Sequence, residues 1–473
     1  MFSSNSRKIT RICCQFLVIT AFILLSVNLV PYHEHWADEV QAMLIARDAH
    51  WTEILTKVPF QEGQPVLWHL LLKICFYIFG ENINISYISI GVMSLCIAVI
   101  IFGYDIPLIY KCLLPFSYYF LYQYNIVARN YCLSFLGLAL VGLTYKDRHK
   151  KAWPYILSLA FLAETTSFYV PVVFVLACFY LYEIYFQYRI ECKKYIFPVL
   201  FLMLVGMSIL WQIFPLNYYS YIHRTRMELL PFFLGAFFSS GDILLSLFFL
   251  FFFAFGFIYK SPKLSSMYNT ALILALWSIF IIVVIFISPR RQHQGLVFGL
   301  FLFTLYITKN NCTNFLFTTL LLIHLQWGVR AIKYEIEEIN SPQQNVLTWL
   351  INHKLDNQKV FTVGYQTLPF IAIYPRQNLV ISQNSPLYFV HTEDFHDQEN
   401  NYHKLLKERH DIILIDATPT YLLKNEYKHE LNSFNYNKDY FKFVFRASLN
   451  EKGLPGYIQH LTLYVSKDLY LKR

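Results

Sequence analysis

The sequence predicts a polytopic α-helical membrane protein with a small extracytoplasmic α/β domain at its C-terminal end. Three observations predict it. Of 473 residues, 56% are hydrophobic and only 15% charged, with a mean hydropathy of +0.40, against roughly 25% charged in a soluble chain. Apolar runs recur up to residue 330, many approaching the roughly 20 residues that a helix needs to cross a bilayer. After Arg330 the chain turns polar, with a helical pattern over 342–355 and alternating, β-branched runs at 360–364, 412–415 and 460–465.

The elements follow in order. Residues 1–11 are short and basic, and the apolar run 12–30 lacks a small-residue cleavage site, so an uncleaved signal anchor is expected. With the N-terminus on the cytoplasmic side, this run emerges near Pro31. Segment 66–79 is interrupted by His69 and Lys73 and suits an amphipathic juxtamembrane helix, with Trp68 as its interfacial anchor. Spans are then expected at 83–104, 106–123, 131–145, 153–163, 168–186, 195–214, 243–259, 269–288, 295–307 and 315–329, which makes about 11 with the first. Charge supports this choice, because 146–151, 189–194 and 260–263, all basic, then fall inside. Counting 66–79 as a span would export each of them.

Residues 1–330 thus form a transmembrane domain, with 32–82 as its first extracytoplasmic loop, and 331–473 form the extracytoplasmic domain. The net charge of +9, from 39 Lys and Arg against 30 Asp and Glu, lies in short loops between apolar runs. That is the positive-inside pattern and not a nucleic-acid stripe, so no nucleic-acid partner is expected. The last of nine cysteines is Cys312, so the tail holds no disulfide or cysteine zinc site of its own. There is no internal repeat.

Four polar groups stand out, and this topology puts all of them on the outer face. The first is Asp38 with Glu39, at the start of a helix expected over 39–48. A carboxylate here can deprotonate a hydroxyl or hold a metal, or Asp38 can simply cap the helix. The second is the turn Glu62-Gly63-Gln64-Pro65. The third is Arg129 with Tyr131, preceded by Tyr118, Tyr119, Tyr122 and Tyr124; Arg129 opposes the positive-inside trend and fits either a phosphate or snorkelling to headgroups. The fourth is Arg290-Arg291-Gln292-His293, where two permanently charged guanidinium groups suit a lipid phosphate. His33, Glu34 and His35 read as solvated loop, Glu164 as the outer end of a short span, and His391, Glu393, Asp394 and His396 as an exposed polar loop, each with metal or cavity binding as the alternative.

These stretches, in this order, resemble the GT-C class of membrane glycosyltransferases, in particular a bacterial group described as glycosyltransferase family 39-like. A more distant similarity reaches lipid-A aminoarabinose transferases and protein O-mannosyltransferases. The residues that carry it are Trp36-Ala37-Asp38-Glu39-Val40-Gln41-Ala42-Met43-Leu44-Ile45-Ala46-Arg47-Asp48, Glu62-Gly63-Gln64-Pro65-Val66-Leu67-Trp68, Ala128-Arg129-Asn130-Tyr131 and Arg290-Arg291-Gln292-His293. The likeness is specific through about residue 145 and architectural beyond it. One position departs: the group's histidine in the second motif is Gln64, which cannot carry charge or shuttle a proton.

The resemblance implies a GT-C-like fold in the bacterial cytoplasmic membrane, with an active site facing outward. It implies an inverting transfer of a sugar from a polyprenyl-phosphate-linked donor to a hydroxyl of a cell-envelope acceptor, which is a glycan, a lipid or a protein. Asp38 would be the base and Glu39 its support. Glu62, Gln64, Arg129, Tyr131, Arg290, Arg291 and His293 would bind substrate. Some members need a divalent cation, Mg or Mn, for which Asp38 and Glu39 are the candidate ligands here. Two alternatives follow from the same residues: a transporter or flippase of a polyprenyl-linked glycan, and a non-catalytic relative that only binds polyprenyl phosphate.

Overall fold

The computed structural model describes residues 4–80, 82–187, 194–213, 233, 235–237, 264–287, 293–308, 314–337, 342–363, 367–374, 378–381, 410–416, 440–448 and 458–471. The chain divides into two compact units, one of Met1–Pro31 with His50–Ile332 and one of Tyr32–Ala49 with Lys333–Arg473.

The first unit is helical. Among the described residues, three helical stretches are long and apolar enough to cross a membrane: Ile9–Tyr32, Ile85–Gly103 and Ile196–Ile213. Six shorter apolar helices accompany them: Leu67–Phe79, Tyr131–Tyr145, Ala152–Ala163, Val170–Phe186, Tyr268–Val284 and Gln294–Ile307. Phe16, Leu17, Leu24, Phe197, Met203 and Leu204 point outward, a costly face in water and a favourable one among acyl chains. Tyr131–Tyr145 lies at the centre, with Ile85–Gly103, Ala152–Ala163 and the helix Gln294–Thr308 packed on it. Gly137 permits one of these approaches, since a Cβ there would stand 3.1 Å from the backbone Cα of Leu162. A small residue lets the two backbones close where hydrophobic driving force between helices is weak.

Two sequence expectations change here. The run 106–123, expected as one span, is a helix over Leu108–Leu113, a 3-10 turn over Leu114–Phe116 and a π turn over Tyr119–Gln123. Pro107 precedes the first piece, Pro115 lies inside the second, and Ser117 is extended (φ −70°, ψ 154°), so no continuous hydrogen-bond ladder can form. Secondly, Trp68 is not an interfacial anchor. It is buried together with His69, Leu72 and Phe76, while Ile74, Tyr77, Ile78 and Phe79 face outward, so the 13-residue helix Leu67–Phe79 turns His69 inward and leaves Lys73 partly exposed. Among the described residues three helices are of spanning length, which does not confirm about 11; Tyr131–Tyr145, Ala152–Ala163 and Gln294–Thr308 keep close to their expected bounds but, at 12 to 15 residues, are shorter than a full crossing. The expected span at 243–259 lies outside the described residues.

The second unit holds a five-stranded sheet in the order β2-β1-β3-β5-β4, with β1 Val360–Val363, β2 Leu379–Ile381, β3 Ile412–Asp416, β4 Tyr440–Ser448 and β5 Ile458–Ser466. β1 pairs in parallel with β2 and β3, while β5 runs antiparallel to both β3 and β4. Parallel neighbours need a crossover, and the short helix Leu368–Ile373 lies on the connection from β1 to β2. Val346 and Leu350 of helix Pro342–Asn352 pack with Val360, Phe370, Ile412, Leu414, Leu461, Leu463 and Val465 as the core. Three of the strands match the expected runs. β2 is only three residues long, and β4 shows its period only in Phe441, Phe443 and Phe445.

Candidate functional site

Among the described residues, the sequence motifs gather in two polar clusters, one in each unit. In the helical unit, the loop Glu164-Thr165-Thr166-Ser167-Phe168 is the hub, because it receives the other motifs from far along the chain. Gly63, in the left-handed region (φ 61°, ψ 27°), ends the helix Val58–Glu62 and turns the chain at Gln64. Gln64 Oε1 then accepts two hydrogen bonds, from Thr166 Oγ1 at 3.1 Å and from the Ser167 amide at 3.0 Å. An amide N–H can only donate, so this end of the side chain is the carbonyl. Asn130 donates to the Thr165 carbonyl at 3.0 Å, and Ser134 Oγ donates to Thr165 Oγ1 at 3.0 Å.

Aromatic contacts complete this side. The Arg129 guanidinium lies 5.1 Å from the centre of the Tyr131 ring, a cation–π contact. His293 meets the edge of Tyr131 with centroids 5.7 Å apart and packs on Phe168 at 4.6 Å. Tyr169 donates to the Leu296 carbonyl at 2.7 Å, which pins the helix that begins beside His293. Gln212 joins two further pieces: its Oε1 accepts from the Val66 amide at 3.1 Å, and its Nε2 donates to Glu164 Oε2 at 3.2 Å. Burial pushes the Glu164 carboxyl above its ordinary range, and the Gln212 hydrogen bond opposes that shift. Glu62 faces elsewhere, 3.4 Å from His69 Nε2. The structure therefore brings together Gln64, Arg129, Tyr131 and His293 around the hub and leaves Glu62 on a separate pair. Arg290 and Arg291 lie outside the described residues, as do His391, Glu393, Asp394 and His396.

In the second unit, the helix Ala37–Asp48 opens after Trp36, whose amide donates to Glu39 Oε2 at 2.8 Å. Trp36 is the N-cap and Asp38 the second helical residue, so the reading of Asp38 as the cap is corrected. Its charge still gains from the helix N-terminus. Glu39 is fully buried, and His33 is buried as well, so the solvated-loop reading fails at His33, while Glu34 and His35 stay partly exposed. His33 Nε2 lies 3.1 Å from both Glu39 oxygens, and His33 Nδ1 lies 2.5 Å from Glu335 Oε1. His35 Nδ1 is 3.4 Å from Glu39 Oε1.

Burial by itself would depress the His33 pKa, but two flanking carboxylates, Glu39 and Glu335, outweigh it and push the ring up to about 10. Glu39 shows the reverse balance. Burial would raise it, and the His33 charge with the hydrogen bonds from His33 and His35 hold it well below the usual carboxylate range.

Sequence reasoning passed over Thr165, Thr166, Ser167, Phe168, Gln212 and Glu335. The run Glu164-Thr165-Thr166-Ser167 was a signal, being four polar residues between two apolar segments, and so was Gln212, which with Ser208 interrupts an apolar run. Glu335 carried none. No protein-family model, curated protein or solved structure matches the chain.

Proposed function

We propose that the protein is a glycosyltransferase that moves a sugar from a polyprenyl-phosphate carrier to a hydroxyl acceptor, with inversion at the anomeric carbon. One observation carries the reading: Gln64, Arg129, Tyr131 and His293, from three motifs distant in sequence, converge on the hub loop 164–168. A permanent cation, an aromatic face and an imidazole in one place suit a sugar phosphate, because the guanidinium takes the phosphate oxygens and the ring stacks on the sugar.

In the reaction the acceptor oxygen attacks the anomeric carbon as the bond from that carbon to the phosphate oxygen breaks. Asp38 takes the acceptor proton. Polyprenyl phosphate leaves with the bonding electron pair, and Arg129 offsets the charge that grows on it. Arg290 and Arg291 take the same part by their place in the motif. Glu39, occupied by Trp36, His33 and His35, acts as a positioning residue that sets the helix bearing Asp38. The donors around Glu39 are two imidazoles and one carboxylate, which do not fit the oxygen-rich octahedral shell that Mg requires. No step here runs through that ion.

The test is sugar transfer by the purified full chain from a synthetic polyprenyl-phosphate sugar. Asp38→Asn should lower turnover by about 100-fold or more. Wild-type turnover in that variant would remove Asp38 as the base. Movement of the lipid across vesicles with no glycosylated product would replace transfer by transport.

A further inference from the structure

The cluster at His33, His35 and Glu39 has the make-up of a transition-metal centre. Its ligand atoms lie within 4.8 Å of one another. Tetrahedral zinc, with bonds of roughly 2.0–2.1 Å to nitrogen and oxygen, sets its ligand atoms about 3.3 Å apart. Here His33 Nε2 is 3.1 Å and His35 Nδ1 3.4 Å from the same oxygen, Glu39 Oε1. The other oxygen, Oε2, accepts the Trp36 amide, which fixes the carboxylate plane and leaves Oε1 turned to both imidazoles.

An outer partner is in place too. A ligating histidine ordinarily donates its second N–H to a carboxylate, which sets the tautomer that offers a lone pair to the metal. Glu335 stands at His33 Nδ1 in that way, 2.5 Å distant. His33 and Glu39 side chains are fully enclosed, whereas His35 keeps 18% of its side chain exposed, so water reaches that edge.

We infer that His33 Nε2, His35 Nδ1 and Glu39 Oε1 bind a divalent transition metal, zinc foremost, with Glu335 orienting His33 and water in the fourth position. The nitrogen-rich set selects against Mg and Ca, which take oxygen shells. The ion joins the stretch before helix Ala37–Asp48 to the first turn of that helix, and so holds the backbone on which Asp38 sits. This inference does not depend on glycosyl transfer, since its readout is bound metal.

The experiment uses tag-free, full-length protein in detergent, equilibrated with zinc and freed of excess before metal analysis. About one zinc per chain is expected in the wild type, with tenfold or greater loss of affinity in His35→Ala. Glu335→Gln should weaken binding by about 10- to 100-fold. His35 keeps one edge exposed and contacts Glu39 at 3.4 Å and the edge of the His33 ring at 5.5 Å between centroids, and the fold of its variant is checked by circular dichroism in chelator. Cobalt(II) supplies a second readout: intense visible bands of a four- or five-coordinate ion in the wild type, lost in His35→Ala. No zinc retained by the wild type, equal affinity in His35→Ala, or weak octahedral cobalt bands unchanged by the variant would each overturn the assignment.

Discussion

At Gln64 a carbonyl accepts from two donors at once, a hydroxyl and a backbone N–H. A neutral imidazole has a single acceptor nitrogen, so the histidine of the resembling group cannot make both bonds. Gln64→His is therefore expected to strand Ser167 N–H or Thr166 Oγ1, to cost about 1–2 kcal/mol of stability, and not to raise turnover. Thermal unfolding and the transfer assay check both parts, and higher turnover at unchanged stability would contradict them. His33 gives a second expectation at this scale, for protein stripped of metal. Its folded pKa, about 10, stands above the unfolded value of 6.5. The raised value means that its contribution to stability is complete below about 6.5 and lost as pH rises through about 10. In chelator, the unfolding midpoint should thus fall with alkali more steeply in wild type than in His33→Gln.

At the level of elements, the end of helix Pro342–Asn352 shows how a local rule is met by the wrong residue. Leu355 N–H reaches back to the Leu350 carbonyl at 2.7 Å and Lys354 N–H to Ile351 at 2.9 Å, the bond pair of a Schellman turn. The turn needs a left-handed residue, and Lys354 supplies it at φ 56°. Lys354→Gly should relieve that conformation and raise stability by about 1 kcal/mol or less, the gain being trimmed by the greater freedom of glycine in the unfolded chain. A lower unfolding temperature would refute this. The same scale explains the failed span at 106–123. Hydropathy counts side chains, but Pro107 and Pro115 remove backbone donors, and a helix cannot continue through them however apolar the run.

For the whole molecule, the positive-inside distribution makes a prediction about sidedness. Cysteine introduced at Lys150, between Tyr131–Tyr145 and Ala152–Ala163, should react with an impermeant maleimide only after the membrane is opened. Cysteine at Lys359, before β1, should react in intact cells. Reaction of both from outside would overturn the topology. Composition, apolar runs and charge placement were legible because bilayer insertion depends on summed local transfer energies, which sequence states directly. β1, β3 and β5 were legible for a similar reason, as short runs rich in apolar and β-branched residues, and their consecutive residues are buried on both faces of the sheet.

The candidate site was legible in part. Asp38, Glu39, Gln64, Arg129, Tyr131 and His293 declared themselves as polar groups where polarity is costly. What each does was not, because function at Gln64 depends on Thr166 and Ser167, about a hundred residues later, and the chemistry at His33 depends on Glu335, about three hundred later. By itself the sequence determined that this chain is predominantly apolar and helical with a polar α/β tail, and which side chains are chemically notable. Only the tertiary structure decided that His33 and His35 belong to an ionic cluster with the buried Glu39 and that the 164–168 loop is a hub. Transfer energies and periodicity are local properties of the chain, whereas hydrogen bonds and ion pairs form between groups that only folding brings within reach.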